Sequence, residues 1–308
     1  MTTAHGAPSV STAHSEVIGR AAPGPGVTER AFLTGREAGR ALLVGYLPAG
    51  FPTVPGAIAA LRAMVDAGVD VVEIGLPYSD PVMDGPTIQA ASDHALRGGT
   101  RIHDVLATVE AVAATGVPTL VMTYWSPVDR YGVDRFAADL SAAGGAGLIT
   151  PDLVPDEAGP WFAASDAHGL DRVFLVSPSS TDARIAMTVA ACRGFVYATA
   201  VMGVTGARAA TSGAAPVRVE RVRAATAAPV EVGLGVSDGA QAAGVGAFAD
   251  GVIVGSALVR RLQDAADEAA GVRSVAQLTA ELAAGVRSAA APVAGVRSAS
   301  TPAGRSRP

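Results

Sequence analysis

The sequence predicts a single α/β domain folded as a closed (β/α)8 TIM barrel, its floor plugged by an N-terminal helix. Three observations predict it. Short apolar runs alternate with helical segments in eight successive units along the chain. Those runs are apolar nearly throughout, as strands are when a parallel sheet is covered on both faces. Eight units in roughly 250 residues is also the usual extent of this fold. An open doubly wound sheet fits less well. Its first strand should enter a G-x-G-x-x-G turn, and Tyr46-Leu-Pro-Ala-Gly-Phe-Pro52 is not one.

Each element has its own reason. Residues 1–27 are rich in Ala, Gly, Pro, Ser and Thr without periodicity and read as a disordered arm. The barrel proper spans 28–288. Residues 28–40 form the plug helix, with Thr28 as N-cap and Glu29 in the first turn. Strand one, 41–46, leads through a Pro/Gly loop to a helix at 54–67. Strand two, 69–76, carries the β-branched Val71, Val72 and Ile74 that suit a packed pleated surface. A long loop marked by Pro77, Pro81, Gly85 and Pro86 separates it from a helix at 102–115. The remaining strands are 119–124, 147–150, 172–176, 195–200, 230–234 and 251–254. Their helices are 133–143, 156–168, 181–192, 217–227, 238–249 and 258 onward. Residues 289–308 continue as an Ala/Ser/Pro/Gly/Arg-rich tail that reads as disordered, and GVRS recurs at Gly271, Gly285 and Gly295.

Composition excludes several classes. The chain is 49% hydrophobic and 17% charged, with a formal net charge of −5 and no basic run beyond Arg260-Arg261. That balance argues against a nucleic-acid surface. Two uncharged stretches, 41–61 and 111–128, are interrupted by Pro and Gly and read as strand plus helix rather than membrane spans. The N-terminus lacks the basic start and apolar core of a signal peptide. A single cysteine, Cys192, suits a reducing cytoplasm. The sequence contains no lysine, which excludes Schiff-base chemistry and an internally linked pyridoxal phosphate. His94, His103 and His168 have no ligand-like spacing, so no metal site is expected. Carboxylates, hydroxyls and backbone dipoles must run the chemistry.

Glu73 interrupts the apolar run of strand two, and the loop after it adds Asp80 and Asp84. Two carboxyls in different surroundings make an acid/base pair, because burial raises one pKa while the other group stays ionised. The structural alternative is a salt-bridged core Glu73 and a turn Asp84. In a barrel of this kind the active site lies on the loops after the strands. On that face fall Tyr197 of strand six, the loop of Gly203, Val204, Thr205 and Gly206, then Gly235 after strand seven and Gly255-Ser256 after strand eight. Backbone amides at Gly206, Gly235, Gly255 and Ser256 make an anion site where the phosphate of such barrels sits. Tyr46, Tyr124, Ile149, Thr205 and Ile253 suit a planar heteroaromatic substrate.

GLPYSDPVMDGPTIQ at 75–89, MGVTGAR at 202–208, VGLGVS at 232–237 and VGSALV at 254–259 resemble the alpha chain of tryptophan synthase, in order and in one register from about 28 to 265. That resemblance implies cleavage of indole-3-glycerol phosphate to indole and glyceraldehyde 3-phosphate. It gives Glu73 the role of acid and base at indole C3 and the glycerol hydroxyl, Asp84 that of holding the indole N–H, and Tyr197 a place beside Glu73. It implies no cofactor in this chain, an α2β2 assembly with a beta chain carrying pyridoxal phosphate, and Asp80 at the border with that partner. Two alternatives remain: another phosphate-gripping barrel isomerase or synthase, and a weakly catalytic ligand-binding regulatory subunit. A synthase of the indole-glycerol phosphate type needs a lysine, which this chain lacks.

Overall fold

A computed structural model describes residues 24–199 and 214–289. Eight strands among them pair in parallel and in chain order: β1 (Leu42–Pro48), β2 (Val71–Gly75), β3 (Thr119–Met122), β4 (Gly147–Thr150), β5 (Asp171–Val176), β6 (Val196–Thr199), β7 (Val230–Gly233) and β8 (Gly251–Val254). β8 returns to β1 and closes the barrel.

The register fixes its stagger. Tyr46 pairs with Glu73, Glu73 with Leu120, Leu120 with Gly147 and Gly147 with Asp171. Four residues on along β5, Leu175 pairs with Tyr197, which pairs with Glu231, then Gly251, then Leu42, four residues short of Tyr46. Four and four make a circuit displaced by eight, the shear of a TIM barrel, or one residue per strand. Side chains that point inward therefore stack in layers drawn from alternate strands.

The helices before and around the first half are α1 (Val27–Glu37), α2 (Val54–Asp66), α3 (Pro86–Arg97), α4 (Ile102–Ala113), α5 (Trp125–Tyr131), α6 (Val133–Ala142) and α7 (Gly159–His168). Those after it are α8 (Asp182–Ala191), α9 (Ala214–Ala225), α10 (Gly239–Gly246), α11 (Ser256–Gln263) and α12 (Glu268–Ser288). α3 and α5 lie where the sequence reading had loops. In α3, Gly85 is the N-cap and Pro86 the first helical residue, where a missing N–H costs nothing. A proline read as a breaker is here a helix start. The terminal helical run divides at residues 264–267 into α11 and α12, and the GVRS copies at Gly271 and Gly285 both lie within α12. The proposed arm before residue 24 and the tail after 289 are outside the described residues.

α1 does plug the floor. Phe32 is buried against Leu42, Val71 and Phe195, and its ring lies 5.6 Å from that of Phe195. Burying such a ring contributes about 1.5–3 kcal/mol. Thr28 is not the cap: Gly26 is. The Thr28 amide and hydroxyl instead donate to the buried Asp171 carboxylate at 2.9 and 2.5 Å. At the other end of α1, Arg36 makes a two-pronged contact with Asp250 at 2.8 and 2.9 Å, and Asp250 also accepts from the Val230 amide at 2.9 Å. Forked guanidinium–carboxylate pairs fix orientation as well as contact. They seat the plug on the β7–β8 edge.

Candidate active site

With one residue of stagger per strand, the inward side chains form four layers. The uppermost holds Tyr46, Met122, Leu175 and Gly233; below it lie Glu73, Ile149, Tyr197 and Ile253. Val44, Leu120, Val173 and Glu231 form the third layer, and Val71, Gly147, Phe195 and Gly251 the lowest, resting on Phe32. Four of the proposed site residues therefore share one layer, and Tyr46 stands over them.

Glu73 is the middle residue of β2 and only 1% exposed. Neither of its oxygens has a hydrogen-bond partner among the described residues. Burial without a partner disfavours the charge and pushes its carboxyl up to about 8. Two glycines make room for the phenols around it. A Cβ on Gly75 would lie 2.2 Å from the Tyr46 hydroxyl, and one on Gly233 would lie 2.6 Å from that of Tyr197. Burial raises both phenols well above their usual range, and the charges of Glu73 and Asp84 push the same way.

Asp84 is half-buried at the mouth, ahead of the Gly85 cap of α3. Burial raises it to about 6, and a hydrogen bond from the Tyr124 hydroxyl works against that rise. Tyr124 also accepts from the Met83 amide at 2.9 Å, so one phenol holds both the loop backbone and the carboxyl. The Asp152 carboxylate accepts from the Trp125 amide at 2.9 and 3.1 Å and keeps α5 beside that phenol. Near pH 7 Glu73 is thus protonated and Asp84 ionised, a donor and an acceptor whose charged forms both act on Tyr46 and Tyr197.

Gly235 and Gly255 each stand two residues beyond the register pair Gly233–Ile253, so the two turns lie side by side. Gly235 has φ +68°, a conformation that glycine adopts without strain. Gly255 caps α11, and Ser256 is its first residue, which leaves helix-end amides facing that mouth. Gly206 and Thr205 lie outside the described residues. Asp80 is exposed on the β2–α3 loop, where the Ser79 hydroxyl donates to it.

The sequence reading passed over Glu231. It is fully buried on β7, and neither oxygen has a partner among the described residues. The signal was the one that marked Glu73, an acid inside an apolar strand. Among the described residues no cluster of His, Cys, Asp and Glu is suited to a metal, and no helix is long and apolar enough to cross a membrane.

A family model described as tryptophan synthase alpha chain matches residues 32–287. The tryptophan synthase alpha chain of Salinispora tropica is 68% identical over 260 residues, covering 84% of this chain and 97% of that one. That of Nocardia farcinica is 60% identical over 258 residues, covering 84% and 95%. A solved structure of Mycobacterium tuberculosis tryptophan synthase is 57% identical with a TM-score of 0.81, covering 85% of this chain and 99% of that one. The chain belongs to the tryptophan synthase alpha chain family, lyases that split indole-3-glycerol phosphate into indole and glyceraldehyde 3-phosphate.

Proposed function

We propose that Glu73 carries the proton in both directions during this cleavage, with Asp84 and the glycine turns holding the two ends of the substrate. The acid form of Glu73 gives its proton to indole C3. The ring then becomes an electron sink: its nitrogen takes positive character, and the Asp84 carboxylate holds the N–H. The glycerol hydroxyl returns a proton to Glu73 as the carbon–carbon bond breaks, the aldehyde forms and the bonding pair restores the aromatic indole. Protons balance, and no imine is needed in a chain without lysine. Tyr197 and Tyr46 stand against Glu73, while Tyr124, Ile149 and Ile253 with Thr205 receive the indole ring. The amides at Gly206, Gly235, Gly255 and Ser256 receive the phosphate.

The observation that carries this reading is the pairing, around Tyr46 and Tyr197, of two carboxyls with unlike acidity, about 8 at Glu73 and about 6 at Asp84. The test is release of free indole from indole-3-glycerol phosphate. Glu73→Gln should lower turnover by about 10²–10⁴, the range for a positioned acid/base, with substrate binding little changed. Turnover near that of the unaltered chain would refute the assignment.

The partner is a tryptophan synthase beta chain, in an α2β2 assembly within the cytoplasm, with Asp80 on the shared border and pyridoxal phosphate held by the beta chain alone. The named relatives and the solved tryptophan synthase structures support the pairing with a beta chain. Mixing with a beta chain should raise indole production markedly and give a complex of two chains of each kind in sedimentation. An unchanged rate on mixing would remove the partnership.

A further inference from the structure

Glu231 has no part in the reaction as derived above, yet its position calls for one. It lies in the layer directly beneath Glu73 and Tyr197, in register with Tyr197 on one side and Gly251 on the other. One layer is about 3 Å along the barrel axis, from the rise and tilt of the strands. A Cβ on Gly251 would meet Glu231 Cγ at 2.7 Å and the Phe32 ring at 2.9 Å. The glycine therefore admits the acid between the plug and the reactive layer. A carboxyl held only for structure would be expected to find donors, as Asp171 finds Thr28 and Asp250 finds Arg36. Glu231 finds none among the described residues. The titratable groups that face it are Glu73 from β2, Tyr197 from β6 and Asp250 at the foot of β8, the last already bonded to Arg36 and Arg223. Burial, then the charges of Glu73 and Asp250, raise its carboxyl well above the usual carboxylate range.

We propose that Glu231 is a positioning residue of the cleavage: a neutral carboxylic acid under Glu73 that turns its own proton towards the Glu73 carboxylate each time Glu73 has protonated the substrate. The proton of Glu231 is not transferred. It supplies a donor in a lumen otherwise lined by apolar side chains, glycines and two phenols, and so makes the ionised half of the Glu73 cycle less costly. A hydrogen bond to a charged form favours that form. This inference rests on the assignment of Glu73 as the acid and base.

The experiment compares Glu231→Leu and Glu231→Gln in the full chain, with Glu73→Gln alongside. Glu231→Leu should lower kcat about tenfold at unchanged KM, within the range for a lost hydrogen bond to a charged group, and should move the alkaline limb of the pH profile up by about one unit. It should also raise the thermal midpoint, because an unpartnered buried carboxyl has been replaced by an apolar group. Glu231→Gln keeps a neutral donor and should hold kcat within about threefold of the unaltered chain. Glu231→Met, closer in shape, takes the place of Leu if that variant does not fold. Unaltered kcat and pH profile in the apolar variant would overturn the proposal. So would a lowered thermal midpoint with kcat unchanged, or a loss in Glu231→Gln equal to that in Glu231→Leu. If Glu73→Gln keeps its turnover, the Glu73 assignment itself fails; if Glu73→Gln is inactive while Glu231→Leu behaves as the unaltered chain, only the positioning role fails.

Discussion

The acid limb of the pH–rate profile separates Asp84 from every other group that titrates near it. Cleavage by the route above needs Asp84 ionised and Glu73 protonated. With Asp84 raised to about 6 and Glu73 to about 8, about four-fifths of the enzyme is in that state at pH 7, and about one-tenth at pH 5 or pH 9. The plot of kcat/KM is therefore bell-shaped. The substrate phosphate also has a second ionisation near pH 6, and the glycine turns proposed to hold it would favour its dianion. In the unaltered chain two protons are then gained on the acid side, and the limiting slope is two. Asp84→Asn removes one of them. Its acid limb should keep a slope of one, from the phosphate, while the alkaline limb stays near 8. The amide still contacts the indole N–H but carries no charge to offset the positive ring, so the plateau should fall by about 1.5–3 kcal/mol, or roughly 10- to 150-fold. The assay is initial-rate indole release across pH 5–9 at substrate concentrations well below KM. Identical acid slopes in both chains would show that Asp84 does not titrate in catalysis, and the pairing of the two carboxyls would be wrong.

Glu73→Gln should be more stable than the unaltered chain at pH 7, by about 3 kcal/mol, with no difference at pH 4. A carboxyl raised from 4.5 to about 8 keeps a proton that the unfolded chain releases, so stability declines as pH climbs from 4.5 to 8; urea midpoints at the two pH values test this. Gly235→Asp strains a position with φ +68° and adds a negative charge at the turns proposed to hold the phosphate. It should weaken binding of glycerol phosphate at least tenfold, about 1.4 kcal/mol, while leaving indole binding near its original value; equal losses in calorimetric titrations would count against the phosphate role.

Some of the fold and site could be read in the sequence because it depends on local pattern. Val71, Val72 and Ile74 mark a strand wherever they fall, and Glu73 among them marks a buried acid whatever surrounds it. The glycines at 235 and 255 mark turns for the same reason. Boundaries were harder. Pro86 breaks a strand pattern and opens a helix with equal ease, and only the backbone beyond Gly85 decides between them, so the sequence pattern alone leaves α3 as loop. Thr28 had the chemistry of a cap, but Asp171, 143 residues away, offered its amide and hydroxyl a better acceptor.

By itself the sequence determined that eight buried parallel strands would form, that no lysine was present to make an imine, and that Asp84 would lie on the loop after the strand that carries Glu73. Neighbours within a few residues dictate such features. The tertiary structure alone decided what those carboxyls meet. The eight-residue stagger sets Glu73 level with Tyr197, Ile149 and Ile253 and puts Glu231 one layer lower, although β2 and β7 are far apart in the chain. Tyr124, just beyond β3, holds Asp84. Acidity inside a barrel depends on burial and on charges arriving from other strands, and neither exists until the sheet closes.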